Sequence, residues 1–111
     1  MKSAKRKLLK KYLNERRVFV ATVQSINHSK NKLTVMDIYM LDEGKLKHVG
    51  NHLHIFDVSR KIMKEISYYD IINFTGVPFR YNKNTPDGKS PNYSIKDIDN
   101  INIWEVSYNG W

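Results

Sequence analysis

The side chains of this 111-residue chain that could do chemistry are mainly carboxylates and histidines, because the chain contains no cysteine. Asp37, Asp57, Asp70, Asp97 and Asp99 could hold a metal ion for hydrolysis. Four of the five stand at a predicted turn, before a helix or at a strand start, where aspartate commonly has a structural use. No nucleophile motif or glycine-rich phosphate loop accompanies them. We therefore predict a protein that is not an enzyme and uses no cofactor.

Three histidines lie close together, at His48, His52 and His54. The last two share one face of a predicted strand, and neutral imidazoles are good metal ligands. No cysteine is present, and no carboxylate stands at an obvious completing spacing. We predict no metal site. Two other roles stay open, an ordinary position on a strand face and a contact to phosphate or base.

The net charge of +8 is concentrated at one end of the chain. Residues 1–17 carry eight bases and one acid, whereas residues 18–111 carry eleven bases and ten acids. No run reaches about 18 apolar residues, and the basic start lacks the apolar core and cleavage site of a signal peptide. We therefore expect a cytoplasmic protein without a membrane partner.

The first half of the chain predicts a basic helix, three strands and a second short helix. Leucines and a tyrosine at helical spacing predict an amphipathic helix over residues 4–14, within a basic segment 1–16. Residues rich in β-branched and aromatic types predict strands at 17–26, 32–41 and 46–58, with a tight turn at 42–45. Strict alternation in the second strand would put Thr34, Met36, Ile38 and Met40 on one face. Ser59 is a natural N-cap for a helix over 60–67.

The second half of the chain centres on the stretch YYDIINFTGVPFRY at 68–81, which predicts a strand that is apolar on both faces. Gly76 permits a bend that would close a barrel, and Pro78 cannot donate a ladder hydrogen bond. A polar loop is expected at 82–92, followed by a fifth strand at 93–106 and a tail at 107–111. Trp104 is expected to pack, whereas Trp111 ends the tail and could dock on a partner.

The predicted order of elements resembles the OB-fold, a five-stranded Greek-key barrel with a helix between its third and fourth strands. Three segments resemble the third, fourth and fifth strands of small OB-fold replication proteins of phages and mobile elements. They are NHLHIFDV at 51–58, YDIINFTGVPFRY at 69–81 and NYSIKDIDNINIWE at 92–105. The resemblance covers about residues 17–106. It predicts a mainly β OB-like barrel with an additional basic N-terminal helix.

The resemblance also implies binding of single-stranded DNA, or RNA, across strands two and three and at two loops. Bases stack on exposed aromatic rings while lysine and arginine follow the phosphates. The residues indicated in this way, together with the basic N-terminal helix, are Lys7, Lys10, Lys11, Lys30, Lys32, Tyr39, Lys45, Lys47, His48, Arg80, Tyr81, Lys83, Lys89 and Tyr93.

Two other functions fit the same residues. The chain could be an accessory subunit that holds a polymerase, primase or helicase of a mobile element, with its basic helix on an acidic partner. It could also be a small inhibitor of an enzyme that acts on nucleic acid. The basic helix could instead be a solvated face whose leucines pack on the barrel.

Overall fold

The computed structural model describes residues 7–104 and contains one five-stranded antiparallel sheet, which confirms a mainly β fold. The strands are β1 (Arg17–Asn27), β2 (Lys32–Asp42), β3 (Lys45–Ile55), β4 (Ile71–Thr85) and β5 (Gly88–Trp104). Their order across the sheet is β3-β2-β1-β4-β5. The predictions for residues 1–6 and for the tail at 107–111 lie outside the described residues.

The β2–β3 turn forms as predicted because its two central residues adopt the left-handed region. Asp42 pairs with Lys45, and the residues between them, Glu43 and Gly44, have φ values of 51° and 77°. Positive φ at both positions defines the turn whose twist matches that of the flanking strands. The β1–β2 turn has the same feature at one residue, Asn31, with φ of 50°.

The prediction of strict alternation in β2 is wrong, because a bulge at Asp37 moves the side chains that follow it to the opposite face of the sheet. Leu33 and Val35 are buried before Asp37, and Ile38 and Met40 are buried after it. Asp37 has φ of 51°, and the register between β1 and β2 shifts at this point. A bulge adds one residue to one strand, so every later side chain changes face.

The hydrophobic core lies on one face of the sheet and is covered at both ends. Phe19 and Phe74 face each other across β1 and β4, with ring centroids 5.6 Å apart. Leu9 closes the core from the N-terminal helix, and Met63 closes it from the helix that follows β3. We call the opposite face of the sheet, which points away from this core, the outer face.

The sheet is open, so a closed barrel is not what the structure contains. Within residues 7–104, β3 and β5 are the two edges and no hydrogen-bonded ladder joins them. The two edges nevertheless line a common small cavity, with Leu53 from β3, Ile95 from β5 and Leu9 between them. The 3₁₀ helix therefore contacts both edges of the open sheet.

The N-terminal helix ends at Tyr12, two residues before the end that the sequence predicts. Its described part is a six-residue 3₁₀ helix, Lys7–Tyr12. The helix α1 (Arg60–Glu65) forms between β3 and β4 as predicted, although it also ends two residues earlier. The hydroxyl of Ser59 accepts the Ile62 N–H at 3.3 Å, which confirms the N-cap. No helix among residues 7–104 is long and apolar enough to cross a membrane.

The prediction of a polar loop at 82–92 is wrong, because β4 and β5 continue through these residues as a long hairpin. The pairing runs outward from Tyr81 with Asn92 to Thr85 with Gly88, across a two-residue turn. Turn-forming residues dominate this stretch, yet residues on both sides of Pro86 and Asp87 can pair once the turn is set. The hairpin thus replaces a loop with a two-stranded ribbon.

Pro78 is accommodated in β4 although this strand lies between two others. Its carbonyl accepts the Asn14 N–H at 3.0 Å, beyond the start of β1. In an antiparallel strand the N–H and C=O of one residue point to the same side. The donor that proline lacks would therefore have faced the 3₁₀ helix and not β5, so the β4–β5 ladder is intact.

Candidate nucleic-acid interface

The register of the strands separates the sheet into two ends. The β2–β3 turn, the β4–β5 hairpin and the 3₁₀ helix lie together at one end, which we call the hairpin end. Tyr12 contacts Asp42 there, and Asn14 contacts Pro78. The β1–β2 turn, α1 and the start of β4 lie at the other end, the helix end, where the Val58 N–H donates to the Asn31 carbonyl.

Basic residues gather at the hairpin end. Residues 10–17, 42–47 and 80–92 contribute nine bases and four acids, so this end carries a formal charge of +5. The helix end, taken as residues 27–32, 55–71 and 98–104, has five bases and four acids. Four of the nine bases and one of the four acids belong to residues 10–17, so most of the excess at the hairpin end comes from the N-terminal segment and not from the near-neutral residues 18–111. A basic end of this kind attracts phosphate.

The outer part of the β4–β5 hairpin is exposed and carries three bases. Arg80, Lys83 and Lys89 are all exposed, and none of them forms an ion pair within residues 7–104. Lys83 stands opposite Ser90, and Lys89 stands opposite Asn84. Because these positions alternate, the ribbon offers a cation on each face.

Two aromatic rings lie on the outer face at the base of this hairpin. The ring centroids of Phe79 and Tyr81 are 5.8 Å apart. Lys96 places its ammonium 5.5 Å from the centre of the Phe79 ring, and Asn92 donates to the Tyr81 hydroxyl at 3.0 Å. Both rings are half-buried and thus partly accessible, and the Phe79 ring has a cation beside it. Lys96 is a member of this cluster that the sequence reasoning missed.

Tyr93 does not stack with these rings. It is buried, with 6% of its surface exposed, and stands opposite Arg80 on the core face of the sheet. Neighbouring residues in a strand point to opposite faces, so Arg80 and Tyr81 cannot act on the same side of β4. The OB-fold resemblance indicates both Tyr93 and Tyr81, but the structure places them on opposite faces of the sheet.

Asp42 joins three other residues of the hairpin end. Its carboxylate accepts hydrogen bonds from Tyr12 at 2.7 Å, from Arg17 at 2.8 Å and from Lys47 at 2.8 Å. Arg17 also lies 4.8 Å above the Tyr12 ring. The hydrogen bond from Lys47, followed by that from Tyr12, lowers the pKa of Asp42 to about 2.

The same contacts bias the partners of Asp42 toward their protonated forms. The hydrogen bond with Asp42 raises the pKa of Lys47, and donation to Asp42 raises the pKa of Tyr12. Lys47 is thus a structural ion-pair partner in the free protein, although its side chain is exposed. Lys45, Lys10 and Lys11 are exposed at the same end, and the side chain of Lys7 is outside the described part.

Tyr39 and His48 form a second aromatic contact, on the outer face over β2 and β3. Their rings meet edge to face with centroids 5.0 Å apart. Tyr39 is exposed, whereas the Nδ1 atom of His48 is buried and has no hydrogen-bond partner among residues 7–104. The Nε2 atom of His48 lies 3.8 Å from the bulged Asp37. The Tyr39 ring is the part of this pair that a base can reach.

Lys30 and Lys32 lie at the opposite end from the hairpin. Lys30 is exposed in the β1–β2 turn, and Lys32 starts β2 with its ammonium 5.9 Å from the ring centre of Phe56. Phe56 is itself exposed and was not singled out from the sequence. The residues indicated by the OB-fold resemblance therefore form two groups at the ends of the sheet, with Tyr39 between them.

His54 contacts a side chain of the adjacent strand β2, and His52 contacts one of β1, the next strand beyond. The Nδ1 atom of His54 lies 3.0 Å from the Thr34 hydroxyl, and that of His52 lies 3.0 Å from the amide oxygen of Gln24. No group of three or more His, Cys, Asp or Glu side chains within residues 7–104 is arranged to hold a metal ion.

Comparison of the chain with protein-family models, with curated proteins and with solved structures finds no match.

Proposed function

We propose that this chain is a non-enzymatic protein that binds single-stranded nucleic acid, with DNA as the preferred form, in replication or recombination. The hairpin end holds the phosphates, and aromatic rings of the outer face stack on bases. The feature that carries the proposal is the exposed basic hairpin beside the Phe79 and Tyr81 rings. Cations and accessible rings in one place are the combination that single-strand binding needs.

An OB-like architecture, which is part of this proposal, would suit the same function. The strand order β3-β2-β1-β4-β5, with α1 between β3 and β4, has the succession of elements expected for that fold. Leu9 fills the gap between the β3 and β5 edges, so we propose an opened version of the barrel in which a 3₁₀ helix replaces the closing ladder. Such a sheet would present its outer face to a ligand.

Lys10, Lys11 and Lys45 lie at the hairpin end, where the proposed path of the strand begins. It starts at Lys83, which shares a face of the ribbon with the Tyr81 ring, while Arg80 and Lys89 reach phosphates from the opposite face. It passes the Tyr81 ring, crosses β2 at Tyr39 and His48, and ends at Lys30 and Lys32. Lys47 can join while bonded to Asp42, because its ammonium has three N–H donors and its side chain is half exposed. The hairpin end therefore supplies most of the phosphate contacts, because most of the bases lie there.

Fluorescence anisotropy of labelled oligonucleotides tests the proposal. Single-stranded DNA, single-stranded RNA and a duplex of the same sequence are titrated with the full chain at about 0.05 M and 0.2 M salt, a range over which phosphate contacts weaken steeply. We expect single-stranded DNA to bind most tightly and the affinity to fall with salt. Absence of binding to all three at the lower salt would overturn the proposal.

A second candidate function is a protein-interaction module, and an apolar patch on the outer face favours it. Val18, Tyr39, Leu41 and Leu46 are exposed, and Leu41 and Leu46 stand opposite each other on β2 and β3. A contiguous exposed apolar patch commonly marks a protein partner. Under this proposal the partner is a polymerase, primase or helicase, or an enzyme that the chain inhibits. Leu41→Ser with Leu46→Ser should then abolish co-purification of the partner and leave oligonucleotide binding unchanged.

A further inference from the structure

The helix end of the sheet contains an open groove that the nucleic-acid proposal does not use. Its walls are α1, the segment that joins α1 to β4, and residues 98–104 at the end of β5. Tyr68, Tyr69 and Trp104 line it, and all three rings are substantially exposed, Tyr69 to 73%. Three exposed aromatic rings at one groove are unusual for a surface that only faces water.

The backbone directs one of these rings outward. Tyr69 has φ of 69°, a conformation that bulky residues rarely adopt. It is held there by β1, because the Tyr69 N–H donates to the Val23 carbonyl and the Asp70 carbonyl accepts the Val23 N–H, both at 2.8 Å. The groove is thus anchored to the sheet and is not a loose loop.

The groove is acidic although the chain as a whole is basic. Its lining contains Asp57, Glu65, Asp70 and Asp99 but only one base, Lys61. Asp70 and Asp99 accept local backbone N–H groups at 2.8 Å. Asp57 and Glu65 form no ion pair within residues 7–104, so their charges are available to a ligand.

Aromatic faces combined with carboxylates are suited to lysine and arginine side chains. A cation over an aromatic ring gains about 0.5–2 kcal/mol, depending on how far it is desolvated, and a nearby carboxylate adds a charge-assisted hydrogen bond. Residues 1–6, MKSAKR, carry three bases and no acid. Their charge of +3 complements the −3 of the groove lining.

We propose that this groove binds the basic segment 1–6 of a second copy of the chain, so that the protein self-associates without nucleic acid. The contact joins two different surfaces of the two copies, and a contact of this kind produces either a closed ring or an open chain of molecules. The partner's bases lie over the aromatic rings and beside Asp57 and Glu65.

Sedimentation velocity on nucleic-acid-free full-length protein tests the proposal, with three variants. The donor variant is Lys2→Gln/Lys5→Gln/Arg6→Gln, and the acceptor variant is Asp57→Asn/Glu65→Gln. The ring variant is Tyr69→Asn, which removes the ring with a residue that tolerates positive φ. We expect the wild type to associate at about 0.05 M salt and to dissociate at about 0.5 M, where charges are strongly screened. Each variant alone should stay monomeric.

An equimolar mixture of the donor and acceptor variants provides the decisive measurement. The donor variant keeps an intact groove and the acceptor variant keeps an intact segment 1–6, so we expect the mixture to form a dimer. Three results would each overturn the proposal. They are a wild type that is monomeric at low salt, association that survives in both the donor and the acceptor variant, and a mixture that stays monomeric. If segment 1–6 instead bound the groove of its own molecule, the wild type would also be monomeric, and the proposal of self-association would be overturned. Oligonucleotide binding is measured separately, so failure here is distinguishable from failure of the proposed function.

Discussion

The hydroxyl of Tyr12 donates a hydrogen bond of 2.7 Å to the Asp42 carboxylate, and this contact ties the N-terminal 3₁₀ helix to the β2–β3 turn. The helix has only six described residues, too few to be stable alone. Its position therefore depends on tertiary contacts, chiefly Tyr12 at the surface and Leu9 in the core. Because Leu9 lies between the two sheet edges, the same contacts hold the core together where the sheet is open.

Tyr12→Phe should loosen this attachment. The variant keeps the ring beneath Arg17 and loses only the hydroxyl, so Asp42 keeps two of its three partners. We expect the Tm measured by circular dichroism to fall by a few degrees, the size expected for the loss of one hydrogen bond in a domain of this length. Tyr68→Phe is the matched control, because Tyr68 is exposed at the other end of the sheet, and it should leave the Tm unchanged.

The stability of the fold should depend on Asp42 between about pH 4 and pH 2. Its pKa falls from 3.8 to about 2 in the folded protein, because Lys47 and Tyr12 donate to the carboxylate. A carboxyl group with a lowered pKa in the folded protein stabilises the fold at pH values above its pKa in the unfolded chain. This contribution is lost as the pH falls through the folded pKa. The urea midpoint of the wild type should therefore exceed that of Asp42→Asn at pH 5, and the difference should shrink toward pH 2. A constant difference across this range would contradict the assignment.

The sequence predicts strands and turns well in this chain because those features depend on local chemistry. Gly44 favours positive φ and Ser59 caps a helix, so the β2–β3 turn and α1 form where expected. The bulge at Asp37 was missed, because it depends on register with a neighbouring strand. The hairpin at 82–92 was missed for a related reason, since its strands are stabilised mainly by pairing and contain turn-forming residue types.

The candidate site was predictable only in part. The exposure of Arg80, Lys83 and Lys89 follows from their polar surroundings in the sequence. The burial of Tyr93 does not, because strand parity alone leaves open which face of β5 covers the core. The ion pair of Lys47 with Asp42 also involves Tyr12, which donates to the same carboxylate and lies thirty residues before Asp42 in the chain. Contacts between residues so far apart require the fold.

Gly76→Ala should destabilise the fold by about 1–3 kcal/mol, the usual cost of overpacking. A Cβ at this position would overlap the Ile95 Cγ2 atom and lie 3.3 Å from the Lys96 carbonyl oxygen. Gly76 therefore serves close packing between β4 and β5. The free energy of unfolding from urea titration measures the effect. In an Ile95→Leu background, which lacks the Cγ2 branch, the same substitution should cost less, and an equal cost would contradict the steric explanation.

Lys83→Gln with Lys89→Gln should reduce the salt dependence of single-strand binding. If each lysine contacts one phosphate, the slope of log K against log salt should become shallower by about 0.7 per lysine. The matched control is Arg60→Gln with Lys64→Gln, an equal change of charge on exposed residues of α1 at the other end of the sheet. Anisotropy titrations at four salt concentrations provide the slopes. Equal slopes for the two double variants would show that binding depends on total charge and not on the hairpin.

Tyr81→Leu should weaken binding of single-stranded DNA by removing a stacking surface. Stacking of a base on an aromatic ring is worth about 1–3 kcal/mol, so the affinity should fall by about 5- to 150-fold. Tyr81→Phe is the control, because it keeps the ring and loses only the hydrogen bond from Asn92. It should bind within about twofold of the wild type. If both variants lose affinity equally, the hydroxyl and its bond to Asn92 are what matter, and the Tyr81 ring does not stack. If neither variant changes the affinity, the aromatic pair at the base of the hairpin packs only against the protein, and the phosphate contacts alone carry binding at this end.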